Sequence, residues 1–155
     1  EEPQRKQIAR EIVSIRKDKP IERTDQLVAL IEKVYEKKRK PRHIHVATKV
    51  FQALRIAVNE ELQEVETVIP KAIEALEIGG RLAVISFHSG EDRIVKHVCK
   101  ALATPEYEQY GMPEERVVTP AKIKIITKKP IEPTDEEKEY NPRSRSAKLR
   151  IVEKI

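Results

Sequence analysis

Apolar residues recur along the first third of the chain at the spacing of helices. Ile8, Ile12 and Ile15 lie three or four apart and stop before Pro20, which predicts one short helix. Thr24 is placed to cap a second, carrying Leu27, Leu30, Ile31 and Val34 before a basic run begins at Lys37. From Thr48 the pattern strengthens: Phe51, Leu54, Val58, Leu62 and Val65 predict one long amphipathic helix. Pro70 suits the first turn of a further helix with Ala72, Ile73 and Leu76, and Gly79-Gly80 would end it.

The period then changes. "RLAVISF", residues 81 to 87, is an almost unbroken apolar run, which predicts a strand buried on both faces of a parallel sheet. A helix from about Ser89 to Leu102 follows, then a loop rich in Pro and Tyr from Thr104 to Pro120. "KIKIITK" alternates Ile123, Ile125 and Thr127 against lysines, a strand with one wetter face. Thr134 and Glu137 form a capping-box pattern for a short helix ending at Asn141-Pro142, and "AKLRIVEKI" alternates again as a last strand.

This order is the closing half of an open α/β sheet. The strand at Leu82 to Phe87 wants neighbours on both sides, and the two later strands are too few to supply both and complete the sheet. An unpaired apolar edge invites aggregation. The chain is therefore expected to pack against a partner or against residues outside this sequence, with a homodimer as one such arrangement. Opening on Glu1 rather than Met points the same way, to a fragment, a processed chain or a split protein.

Composition narrows the class. In 155 residues, 39% hydrophobic and 37% charged, no apolar run approaches the roughly 20 residues of a membrane helix. The single cysteine, Cys99, has no internal disulfide partner, so a reducing cytoplasm is the expected compartment. It shares a helix face with Ile94, Val95, Val98 and Leu102 and reads as a buried, inert thiol. The net charge of +5 is unevenly spread: "KKRKPRHIH" and "RSRSAKLR" contain no acids, whereas residues 60 to 77 are strongly acidic. Lys37, Lys38, Arg39, Lys40 and Arg42, with Arg143, Arg145, Lys148 and Arg150, are the candidates for phosphate contacts. The alternative is a pair of solvated loops, with some arginines bound to carboxylates inside the fold.

The candidate chemistry gathers where the apolar strand ends, at Ser86, His88 and Ser89. Ser89 is expected to cap the following helix, with Glu91 and Asp92 in its first turn. His88 stands at the carboxyl end of a strand, the edge where open α/β sheets place ligands. The four histidines lack the supporting Cys or carboxylate spacing of a metal site, so no metal is expected. There is no G-x-G-x-x-G and no P-loop, and the four tyrosines are too dispersed for a base-stacking platform.

"HVATKVFQALRIAVNEEL", "GGRLAVISFHSGEDRIVK" and "NPRSRSAKLR" resemble, in this order, signatures of the bacterial 16S rRNA cytosine-N4 methyltransferases. This family is also called ribosomal RNA small subunit methyltransferase H, or MraW. The resemblance implies the C-terminal half of a Rossmann-like class I methyltransferase sheet over residues 47–155, preceded over 1–46 by the tail of a helical insertion subdomain. It implies S-adenosylmethionine as cofactor, bound mainly outside this chain because the family's glycine-rich loop, ribose-binding acid and Asp-Leu-Gly motif have no match in it. It also implies a 16S rRNA or small-subunit partner, a decoding-centre cytosine as target, and Ser86, His88 and Ser89 on the cytosine side of the pocket. The last two strands would then form an antiparallel closing pair. Gly90 stands where the family's "SFHSLEDR" has leucine, removing an apolar contact at the helix start. Two competing readings are a non-enzymatic RNA-binding or ribosome-assembly module of the same descent, and one subunit of a split methyltransferase.

Overall fold

The computed structural model of the protein describes residues 2–36, 38, 44–108 and 116–155. Contacts divide the chain into two units, Glu1–Glu60 and Glu61–Ile155.

The first unit holds helices α1 (Arg5–Asp18), α2 (Thr24–Tyr35) and α3 (Thr48–Asn59). Ile8, Leu27, Leu30, Ile31, Val34 and Tyr35 form its core, joined by Val46, Ala47 and Val50, while Ile15 faces solvent. The N-cap of α2 is Arg23 rather than Thr24, and the Gln26 side chain reaches back to accept from the backbone N–H of Arg23 at 3.1 Å. The Tyr35 hydroxyl donates to the buried Glu2 carboxylate. Burial, reinforced by that bond and by the Glu2 charge, pushes Tyr35 up to about 12.

The long helix expected from Thr48 is interrupted. Glu60 takes a left-handed conformation, φ 52°, and ends α3. A new helix, α4, then runs from Glu61 to Ala75 with Pro70 inside it, not at its start. An interior proline costs about 3 kcal/mol, but Ile69 and Ile73 on either side of it are both 2% exposed. Burying each contributes roughly 1.5–3 kcal/mol, so packing carries the helix through. Gly79, at φ 82°, turns the chain out of α4. A Cβ on Gly80 would sit 2.8 Å from the Glu77 carbonyl oxygen, so this tight return requires glycine. Lys154 Nζ donates to the Glu74 carbonyl at 2.9 Å and to that of Leu76, satisfying the helix's last acceptors.

The second unit continues with β1 (Arg81–Ser86), α5 (Ser89–Ala103), β2 (Glu106–Glu108), β3 (Arg116–Thr119), β4 (Ile123–Ile125), α6 (Asp135–Tyr140), a 3-10 turn (Pro142–Ser146) and β5 (Lys148–Lys154). The last strand, β5, is the centre of a three-stranded sheet in the order β1-β5-β4, antiparallel throughout. The antiparallel closing pair is thus present as β4 and β5. β2 and β3 pair within what the sequence reads as a loop.

Leu82 and Val84, with Ile123, Ile125 and Val152, pack under α4 and α5 onto Ile69, Ile73, Val95 and Cys99. Burial along β1 alternates instead of being complete on both faces, and its pairing is antiparallel, which corrects the parallel, doubly buried expectation. The outward residues, Ala83 and Ile85, lie opposite Ile151 and Leu149. Ile85 is 59% exposed, Phe87 54% and Ile131 51%. Among the described residues no strand pairs with the second edge of β1. No helix there is long and apolar enough to cross a membrane.

Candidate functional site

β1 delivers three polar side chains to the start of α5. Ser86 is 4% exposed and faces the helix side, where its Oγ donates to the Lys148 carbonyl at 3.5 Å. The next residue, Phe87, turns out to solvent. His88 is the N-cap: its Nδ1 accepts from the backbone N–H groups of Gly90 at 3.1 Å and Glu91 at 3.2 Å. The Glu91 carboxylate completes a capping box by accepting from Phe87 N at 2.8 Å and His88 N at 3.3 Å. The cap is therefore one residue earlier than expected, and Ser89 is the first helical residue, with its side chain exposed.

Gly90 lies directly against the imidazole. A Cβ there would lie 3.0 Å from His88 Nδ1 and 3.1 Å from its Cε1, so the ring rests on the bare glycine backbone. The cap also fixes the tautomer. A nitrogen that accepts two N–H bonds carries no proton, so the neutral ring holds its proton on Nε2. That atom is buried without an aligned partner, 3.3 Å from Glu91 Oε1. A ring nitrogen of His88 and one carboxylate oxygen each from Glu61 and Glu91 gather within 4.8 Å. With Nε2 protonated, the cluster is a donor facing carboxylates and not a ready set of metal ligands.

Asp92, one turn into α5, binds Arg150 of β5 through both oxygens, Oδ1 to Nε at 2.8 Å and Oδ2 to Nη2 at 3.1 Å. Lys148 Nζ stands 3.9 Å from the same carboxylate. The Arg150 guanidinium holds the Asp92 carboxyl below the usual carboxylate range against the opposing effect of burial, with Lys148 and Lys96 adding smaller contributions. Arg150 thus has the internal carboxylate partner that stood as the alternative to phosphate. Arg143 and Arg145 lie exposed on the 3-10 turn, and neither has an ion pair among the described residues. Lys38 is exposed. Lys37, Arg39, Lys40 and Arg42 lie outside the described residues.

On the outward face of the sheet a groove of about 560 Å³ runs from Ile85 and Phe87 past Ile131 and Leu149 to Asn141 and Arg143. It joins the strand end bearing His88 to the basic turn. The alternation of β5 was visible in sequence and that of β1 was not; Ile131, held to Leu149 by paired backbone bonds of 2.9 Å, gave no periodic signal.

Among the described residues the glycines do not form the turn that an S-adenosylmethionine site would need. Gly79 and Gly80 sit at the amino end of β1, opposite His88, and serve a tight turn between α4 and β1. No glycine-rich turn follows the carboxyl end of a strand among the described residues.

A sheet with helices on one face and a polar cluster at a strand end is an architecture shared by many α/β enzymes. The sequence profile of the MraW methylase family matches residues 1–155, and the chain belongs to that family. It is 47% identical over its full length to the ribosomal RNA small subunit methyltransferase H of Fusobacterium nucleatum, covering 48% of that protein. Over 97% of the chain it is 47% identical to the protein of that name from Clostridioides difficile, again covering 48%. Against that of Pelobacter propionicus it is 46% identical over its full length and covers 50%. The chain spans about half the length of the curated relatives it matches.

Proposed function

We propose that this chain is the C-terminal part of an S-adenosylmethionine-dependent methyltransferase that modifies the N4 amine of a decoding-centre cytosine in 16S rRNA. It is inactive without the N-terminal portion, which brings the cofactor site. The observation that carries this reading is the open second edge of β1 beside an uncovered apolar sheet face, in a chain half the length of its relatives. The relatives' name supports an rRNA substrate. In this reading Ile85, Phe87 and the second edge of β1 receive the N-terminal portion, and residues 1–46 end a helical insertion.

Transfer to an exocyclic amine depends on alignment more than on a strong base. Ser86, His88 and Ser89 line the cytosine side of the pocket. His88 acts through its position: Nδ1 caps α5 and the buried Nε2–H faces the Glu61 and Glu91 carboxylates, so the ring fixes the turn that carries Ser86 and Ser89 toward the base edge. Arg143 and Arg145, with the basic run at residues 37–42, take backbone phosphates.

Two His88 variants of the full-length protein test this. Asn is a good N-cap but has no donor at the Nε2 position. His88→Asn is expected to preserve stability while lowering kcat at least tenfold; His88→Ala is expected to lose the same activity and also about 1 kcal/mol of stability. Urea unfolding beside methyl incorporation into small-subunit rRNA measures both. Unchanged turnover in His88→Asn would remove His88 from the pocket.

A further inference from the structure

A second groove, of about 330 Å³, opens on the other side of the sheet, between α5 and the segment leaving β4. Its floor is Cys99, Ile125 and Val152. Its rim is Lys96 and Lys100, one turn apart on α5, and Lys128 across from them. All three lysines are exposed, and none has an ion pair among the described residues. No acid lines the groove, and its fourth cation, Arg150, is already answered by Asp92. The groove adjoins β4, whereas the open edge that awaits a neighbour belongs to β1, on the far side of β5. It is therefore not the vacancy left at that edge.

We propose that this groove is a second RNA-binding site, taking one unpaired nucleotide of the substrate with its base on the apolar floor and its flanking phosphates on Lys96, Lys100 and Lys128. The inference rests on the rRNA reading above and extends it to a surface that reading does not use. Charge complementarity selects the occupant: three exposed ammonium groups, none in an ion pair among the described residues, around a carbon-lined floor suit a flat apolar group flanked by anions. The volume is at the small end for ligand pockets, which run from roughly 300 to 1,000 Å³, and so fits one nucleotide and not a duplex. The Cys99 thiol, raised by burial, adds a neutral surface to the floor and no charge of its own.

The test uses the full-length protein and a labelled single-stranded RNA carrying the methylated site. K96Q/K100Q/K128Q is compared with K122Q/K124Q/K129Q, a control of equal charge change whose lysines are exposed and outside the groove. Each phosphate contact on a single strand contributes about 0.7 to the slope of log affinity against log salt. The groove triple is expected to weaken binding at least tenfold at about 0.1 M salt and flatten that slope by about 2, raising KM for RNA with kcat preserved. The control is expected to change affinity less than threefold. Photo-cross-linking is expected to mark the helix segment carrying Lys96 and Lys100. Equal losses in the two triples would reduce the effect to net charge and overturn the proposal, as would an acidic peptide competing while RNA leaves the segment unmarked. A wild-type protein that neither binds nor methylates rRNA would instead overturn the function on which the groove's role depends.

Discussion

Asp92→Ala is expected to destabilise the chain by about 3 kcal/mol. Asp92 and Arg150 side chains are only 13% and 12% exposed, and two short bonds join α5 to the central strand through them. Truncating the acid leaves a guanidinium desolvated between helix and sheet, with the Lys148 ammonium 3.9 Å from the vacated carboxylate. The pH dependence follows from the direction of the shift. Asp92 binds its proton less readily folded than unfolded, so its contribution is complete above the ordinary carboxylate pKa. It is lost as pH falls through the lower folded value, on the acid side of about pH 4. Asp92→Asn keeps a partner for Arg150 but has no proton to gain, and is expected to flatten that acid limb. Chemical denaturation across pH 2–7 measures both effects. A loss under 1 kcal/mol for Asp92→Ala would mean that water satisfies Arg150 and that the pair is peripheral.

Ile85→Glu is expected to behave in opposite ways in two settings. In the 155-residue chain Ile85 is 59% exposed on an edge strand, so a charge there meets water and changes stability by less than about 0.5 kcal/mol. In the full-length protein, if the N-terminal portion covers this face, the same carboxylate is buried without a partner and costs about 3 kcal/mol or more. Urea midpoints of the two pairs of proteins decide the matter. Small, equal effects in both would show that the outward face of the sheet stays open in the whole protein.

The sequence carried the elements more faithfully than their joints. The periodicities of α1, α2 and α5 were legible because each buries one face and exposes the other, and β5 was legible from its alternating residue types. The break at Glu60 was not, since a left-handed non-glycine residue leaves no compositional mark. Pro70 misled because local chemistry places proline at a helix start, whereas Ile69 and Ile73 hold the helix together through long-range packing against α5 and the sheet. The apolar run of β1 was read as a strand buried on both sides; in this chain only its Leu82–Val84 face is covered.

At the site, serine, aspartate and asparagine are the familiar caps, so Ser89 drew the cap assignment. The imidazole of His88 takes it by accepting from the backbone N–H groups of Gly90 and Glu91, with its ring lying against Gly90. The acid-free pattern of "RSRSAKLR" could not separate roles among its cations. Only the register of β5 against β1 and α5 sends Arg150 inward to Asp92 while Arg143 and Arg145, on the turn before it, stay in water.

In the proposed function this chain holds one side of a methyltransferase site whose cofactor side lies in the N-terminal portion. Calorimetric titration of S-adenosylmethionine tests that division most directly, first into the purified 155-residue chain and then into the same chain joined to the portion that precedes it in its relatives. No heat from the chain alone, followed by saturable binding once the N-terminal portion is present, is the predicted result. Tight binding by the 155 residues alone would contradict it and would put the whole cofactor site within this chain.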